Sequence, residues 1–160
     1  MKYLIDTSAL VRILRRQVDQ SWHEQVTNGM VAICDPVLTE ALTIARAAEY
    51  ERVRTDLLEA YPRVPVPDRA WETVRSVQAR LAAKSQHNGL SVADHLVVAT
   101  ALHHKLTILH QDANFATAAA VVSDIQEQRI LADEPAHKAV PRPDPRGHVG
   151  PYGGWSFSEI

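Results

Sequence analysis

The sequence predicts an α/β fold, with a central, mostly parallel sheet covered by helices on both faces. Two observations predict it. Short apolar runs alternate with stretches of helical spacing along residues 1–134. Apolar strands alternating with helices argue for a parallel sheet covered on both faces. A single shift of composition falls at Pro135, and the 26 residues from it onward hold five of the nine prolines and four of the six glycines. One domain is therefore expected over 1–134. Residues 135–160 cannot repeat an apolar face and read as a flexible, disordered tail. Trp155 and Phe157 exceed what a spacer needs, and docking on a groove of this chain or of a neighbour is the alternative.

The elements follow in order. Lys2–Ile5 is a short apolar strand ending at Asp6, and Thr7–Arg16 has helical spacing through Leu10, Ile13 and Leu14. A second helix covers Gln20–Asn28 and stops at Gly29. Met30–Cys34 is a buried strand. Asp35-Pro36 reads as an N-cap followed by proline at the first helical position, opening a helix to Ala47. A further helix spans Ala48–Tyr61. The prolines at 62, 65 and 67 punctuate a short extended segment, and Asp68 caps a helix running to Ser85. Ser91–His104 is a strongly apolar helix, Leu106–Leu109 a strand and Ala113–Ala120 a short helix. A last strand lies within Ile125–Leu131.

Composition excludes several classes. At 160 residues, with 46% apolar and 22% charged residues, the chain can bury a real core. Its one cysteine, Cys34, cannot form an internal disulfide and reads as a buried strand residue, which suits a reducing cytosol. Asp6 interrupts the first apolar run, so no secretory signal is read there. No apolar run reaches the roughly 18 residues of a membrane helix, and a soluble cytoplasmic protein is expected. A net charge of −2 predicts no bulk attraction to polyanions, so any nucleic-acid contact must be local. There is no G-x-G-x-x-G, P-loop, C-x-x-C or H-E-x-x-H pattern.

Four acids fall where chemistry is expected. Ligands of open α/β sheets collect beyond the carboxyl ends of the strands. Asp6 follows the first strand, and Asp112 follows the LTILH strand by one residue. Each is also a natural N-cap. Stepping 100° per residue from Val37 places Ala41, Ile44, Ala45 and Ala48 on one helix face, with Glu40 at its edge. A carboxylate there needs a partner or a path to water. Asp94 projects between Ala101 and Val98, and Ser91-x-x-Asp94 also matches a capping box. Together the four suggest a nest of like charges that raises its own pKa values or recruits a cation. Oxygen ligands alone favour Mg²⁺ or Mn²⁺ over zinc, and the waters such an ion keeps suit phosphodiester hydrolysis.

These residues resemble the PIN-domain family, and within it the VapC-type toxins of bacterial toxin–antitoxin pairs. The resemblance covers about residues 1–131, through YLIDTSALV, DPVLTEAL, LSVADHLVVATAL and LTILHQDANF. It implies a PIN-like three-layer α/β/α sandwich and a Mg²⁺- or Mn²⁺-dependent endoribonuclease. In that reading, water activated by metal attacks in line, leaving a 3′-hydroxyl and a 5′-phosphate. Asp6, Glu40, Asp94 and Asp112 are similar to the family's acidic quartet. Asp6 and Asp94 would be direct metal ligands, with Glu40 and Asp112 acting through water. Thr7 or Ser8 looks like the hydroxyl that orients the first acid or the scissile phosphate. Asn114 stands where the family often has a second acid or a His, keeping an oxygen and losing a charge.

The resemblance also implies partners: an RNA substrate, a second copy in a homodimer, and a small antitoxin that covers the acidic cleft, often with an Arg. Helices Gln20–Asn28 and Ala48–Tyr61 would build the groove, with Trp22, Val26, Val53, Leu57 and Leu58 as candidate contacts or else ordinary core. Arg12, Arg15 and Arg16 are candidates to hold RNA phosphates. Two other readings remain at this point. One is a housekeeping PIN ribonuclease of RNA maturation. The other is a non-enzymatic interaction module whose acids are only caps.

Overall fold

Four short strands line up side by side in the computed structural model, which describes residues 1–131. The expected tail over 135–160, with Trp155 and Phe157, lies outside the described residues. β1 (Tyr3–Ile5), β2 (Val31–Ala32), β3 (Thr107–His110) and β4 (Glu127–Arg129) form one sheet in the order β2-β1-β3-β4, and every pair is parallel. Leu4 faces Ala32 on one side and Ile108 on the other. The parallel pairing places all strand carboxyl ends, and the acids beyond them, along one edge.

The helices cover this sheet. α1 (Thr7–Leu14) is capped by Asp6, and α2 (Gln20–Thr27) by Asp19, whose carboxylate accepts the Ser21 N–H at 2.9 Å. Gly29 ends α2 with φ +65°, a conformation glycine adopts without a Cβ penalty. α3 (Asp35–Ile44) packs on α4 (Tyr50–Ala60), joined by a 3₁₀ turn at Ala47–Glu49. α5 (Ala70–Ala82) packs along α6 (Val92–His104), and α7 (Ala113–Val121) returns the chain to β4.

The core is the middle of this sandwich. Leu4, Ile5, Leu10, Val31, Ile33, Val37, Val98, Ile108, Leu109 and Phe115 are fully shielded from water. α6 is buried nearly all round, as its apolar sequence requires. Val53 and Leu57 belong to this core, while Trp22, Val26 and Leu58 are half-buried against it. Trp22 stacks edge-on against Tyr3 with ring centroids 5.3 Å apart. Val53 and Leu57 are thereby removed as contacts for a partner.

Two expected caps are corrected. Asp35 is not the N-cap of α3. Cys34 is, with φ −118° and ψ 163°, and it makes no side-chain cap. The Asp35 carboxylate instead grips Arg63 through two bonds of 2.6 Å. That grip accompanies a bridge between Ile33 and Arg63, which adds one further parallel contact beside β2. Asp68 does not cap α5 either. The cap position falls on Arg69, which has no side-chain acceptor. Aspartate before a helix marks a start only when its own backbone is extended and its carboxylate is uncommitted.

A candidate active site at the strand ends

Asp6 sits where β1 turns into α1. Its backbone N–H donates to Leu109 C=O at 2.9 Å, locking it to β3. Asp6 is 4% exposed, and its Oδ2 accepts both the Ser8 N–H at 2.9 Å and the Ser8 hydroxyl at 2.5 Å. Burial holds the Asp6 carboxyl above its ordinary range. The Ser8 bonds oppose that shift, and the neighbouring charge of Asp94 adds to it.

Ser8 does a second thing. Its Oγ accepts the Gln111 N–H at 2.9 Å, tying the start of α1 to the turn that carries Asp112. Thr7 points elsewhere and donates its hydroxyl to Glu40 Oε2 at 2.5 Å. Glu40 is half-buried at the edge of the core face of α3, and Thr7 is the partner that position needs. Both hydroxyls of the Thr-Ser pair are therefore used, one on Asp6 and one on Glu40.

Asp94 closes a complete capping box on α6. Its Oδ2 accepts the Ser91 N–H at 2.7 Å, and its own N–H donates to Ser91 Oγ at 3.1 Å. Asp112 caps α7, accepting the Asn114 N–H at 2.9 Å and its side-chain Nδ2 at 3.4 Å. The Asn114 Oδ1 turns the other way, 3.3 Å from where a Cβ on Gly89 would stand. Asn114 thus orients Asp112 and packs against the loop before α6.

Asp6 and Asp112 are N-caps and Asp94 closes the capping box of Ser91, so capping explains part of each. It does not explain why Asp94 lies close enough to Asp6 for its charge to raise the Asp6 carboxyl further. Among the described residues, no three side chains of His, Cys, Asp or Glu stand close enough to hold an ion between them. Magnesium does not require three, because it is commonly held by one or two carboxylates and completes its shell with water. The all-oxygen donor pair of Asp6 and Asp94 fits such an ion, and a nearby cation would offset the cost of charging Asp6.

The arginines are placed differently. α1 begins at the acid cluster, and its eight residues span about 12 Å. Arg15 and Arg16 stand at the far end of that helix. Arg12 is half-buried, with Nη1 3.1 Å from Gln17 Oε1. The acids do not line the groove between α3 and α4. That groove, of about 460 Å³, is walled by Leu38, Leu42, Leu58, Tyr50, Arg54 and Arg63 among others.

Two histidines beside the site escaped sequence reasoning. His110, wholly buried at the end of β3, pairs its Nε2 with Glu127 Oε2 at 2.7 Å and leans on Phe115. His95 follows Asp94 and pairs its Nδ1 with Ser91 C=O at 2.7 Å. Each leaves its other ring nitrogen without a partner among the described residues. A histidine inside an apolar strand or helix was the available signal. Cys34 is buried as expected, but it stands at the N-cap of α3 rather than within β2, and burial pushes its thiol up to about 12.

A buried aspartate at the end of the first strand, a helix glutamate on its neighbouring hydroxyl and a capping aspartate on a buried helix define a class. The PIN-domain family model matches residues 3–121, and the chain belongs to that family. Its relatives include Ribonuclease VapC6 of Mycobacterium tuberculosis, 35% identical over 103 residues, covering 64% of this chain and 81% of the relative. Ribonuclease VapC2 of the same species is 33% identical over 129 residues, covering 79% of this chain and 92% of the relative. Among solved structures, DNA-bound VapBC from Salmonella typhimurium has the same fold, with a TM-score of 0.65 at 14% identity over 82% of this chain and 99% of that one. VapBC2 from Rickettsia felis, bound to a promoter DNA fragment, has a TM-score of 0.63 at 15% identity over 81% and 98%.

Proposed function

We propose that the chain is a VapC-type endoribonuclease that hydrolyses RNA phosphodiester bonds at the Asp6, Glu40, Asp94 and Asp112 cluster, with Mg²⁺ or Mn²⁺ as cofactor. The observation that carries the reading is the pairing of buried Asp6 with Asp94 at the carboxyl edge of a parallel sheet. The relatives named as VapC ribonucleases support it.

Asp6 and Asp94 would hold the cation. When bound, that ion supplies Lewis-acid activation of water and neutralises developing phosphate charge. Ser8 keeps Asp6 in one rotamer through two bonds to Oδ2. Ser91 does the same for Asp94 from its backbone N–H. Glu40, fixed by Thr7 through Oε2, and Asp112, held by Asn114 at both oxygens, would bound the cluster and orient water through their remaining lone pairs. Arg12 on α1, with Arg15 and Arg16 just past its end, would hold RNA phosphates leading away from the cut.

The chain would act as the toxin of a cytoplasmic toxin–antitoxin pair, as a homodimer. Solved relatives described as VapBC support an antitoxin partner. An arginine from that antitoxin would satisfy the acid cluster. The groove of Leu38, Leu42 and Leu58 offers apolar surface for the rest of it. No helix among the described residues is long and apolar enough to cross a membrane.

The test is a paired assay on total RNA with the parent protein and Asp94→Asn, each shown to be folded by circular dichroism. The expected result is discrete cleavage by the parent in Mn²⁺ or Mg²⁺, abolished by EDTA and absent in the variant. Equal cleavage by both proteins would overturn the assignment.

A further inference from the structure

The loop between α5 and α6 ends in a tight turn at the edge of the acid cluster. Gly89 N–H donates to Gln86 C=O at 3.4 Å, so His87 and Asn88 occupy the turn's tip. The base of the loop is pinned. Gln86 N–H donates to Leu81 C=O at 2.9 Å, and Leu90 is buried. The turn touches the site on two sides. Gly89 packs against Asn114, which holds Asp112. Two residues further on, Ser91 holds Asp94.

The tip is built from groups with nothing to do inside the fold. Lys84, Gln86, His87 and Asn88 are all exposed. None has a side-chain hydrogen bond or ion pair among the described residues. A protein partner would be expected to meet apolar or aromatic anchors, and the tip has no aliphatic or Trp, Tyr or Phe side chain. An amide and an imidazole on a firm turn suit instead the exposed edges and faces of unstacked bases.

We propose that the Gln86–Gly89 turn is the base-reading element of this ribonuclease, with Asn88 hydrogen-bonding a base edge, His87 stacking on a base, and Lys84 holding a phosphate. The substrate it fits is single-stranded RNA, a loop or an end, lying across Asp94 and Asp112. This inference rests on the ribonuclease reading above.

The test compares the parent with His87→Ala, Asn88→Ala and the double variant. Among the described residues neither change removes a side-chain hydrogen bond or ion pair. Each protein is incubated with total RNA in Mn²⁺, and the 5′ ends of the products are sequenced. The double variant is expected to cut with a relaxed base preference beside the scissile bond. Its kcat/KM at the parent's favoured site should fall by about tenfold or more, in line with the loss of one stacked base. An unchanged cut profile with an unchanged rate would overturn the proposal. Metal-free binding to a randomised single-stranded RNA pool separates the two readings. If the parent does not cut, the ribonuclease assignment fails. A binding preference altered in the double variant then still supports the turn as an RNA reader, and an unaltered one refutes it. A double variant that keeps the parent's RNA preference and loses antitoxin affinity would refute it as well.

Discussion

The Ser8 hydroxyl lies 2.5 Å from Asp6 Oδ2 and accepts the Gln111 N–H at 2.9 Å, so one side chain joins the ends of β1 and β3. Ser8→Ala removes both bonds and leaves the Gln111 N–H without that acceptor. The expected cost is about 1–3 kcal/mol, as for a part-buried bond to a charged group. It should be read by urea unfolding. RNA cleavage should fall further than stability, by about 10²-fold, because Asp6 loses its rotamer lock. Cleavage at the parental rate in a folded Ser8→Ala protein would show that the lock is unnecessary.

Thr7 and Glu40 separate position from charge. Thr7→Val preserves shape and deletes the 2.5 Å bond to Glu40. Glu40→Gln preserves the bond, with the amide oxygen as acceptor, and deletes the charge. If Glu40 contributes by charge, Glu40→Gln lowers kcat the more of the two. If position dominates, Thr7→Val does. Single-turnover cleavage at saturating RNA distinguishes the outcomes.

Asp6 gives a pH dependence with a definite sign. Its carboxyl titrates above the unfolded value of 3.8, chiefly through burial. A raised acid stabilises the fold below that unfolded value, and this contribution is lost as pH rises through the raised one. Cation-free protein should therefore lose Tm across this window, and the loss should be shallower in Asp6→Asn. Above the window, Mg²⁺ should raise the Tm of the parent and leave that of Asp6→Asn unmoved. Thermal melts at several pH values, with and without Mg²⁺, measure all four cases.

Gly89→Ala tests the packing of the loop on Asn114. Gly89 does not have a left-handed φ, so the substitution adds a contact without backbone strain. The new Cβ would lie 3.3 Å from Asn114 Oδ1, tighter than most such contacts. Stability should change by less than about 1 kcal/mol. Cleavage should fall severalfold through displacement of Asn114 and then Asp112. A double-mutant cycle with Asn114→Ala should show coupling between the two sites.

The strands and helices were largely legible because their apolar periods are clean. The run YLI and the all-round apolar α6 each have one physical explanation. Asp35 and Asp68 misled because capping depends on backbone angles and on competitors for the carboxylate. Arg63, 28 residues from Asp35, is such a competitor and leaves no local trace. Met30–Cys34 shrank to Val31–Ala32 because Ile33 pairs with Arg63 by one bridge alone. At the site, the need of Glu40 for a partner was readable from its helix face, but the identity of that partner was not. Thr7 and Glu40 meet only once α1 and α3 are packed. His95 and His110 stayed hidden because burial of a lone histidine depends on tertiary neighbours.

β1 is made first yet lies in the middle of the sheet, between β2 and the much later β3. On a ribosome, Asp6 emerges about a hundred residues before the strand that fixes its backbone. At ordinary elongation rates that is a wait of about 5–20 s. Asp6 has neither its Leu109 bond nor the enclosure of the finished sandwich during this interval. The proposed site should therefore be completed late in synthesis and abruptly, when β3 docks beside β1.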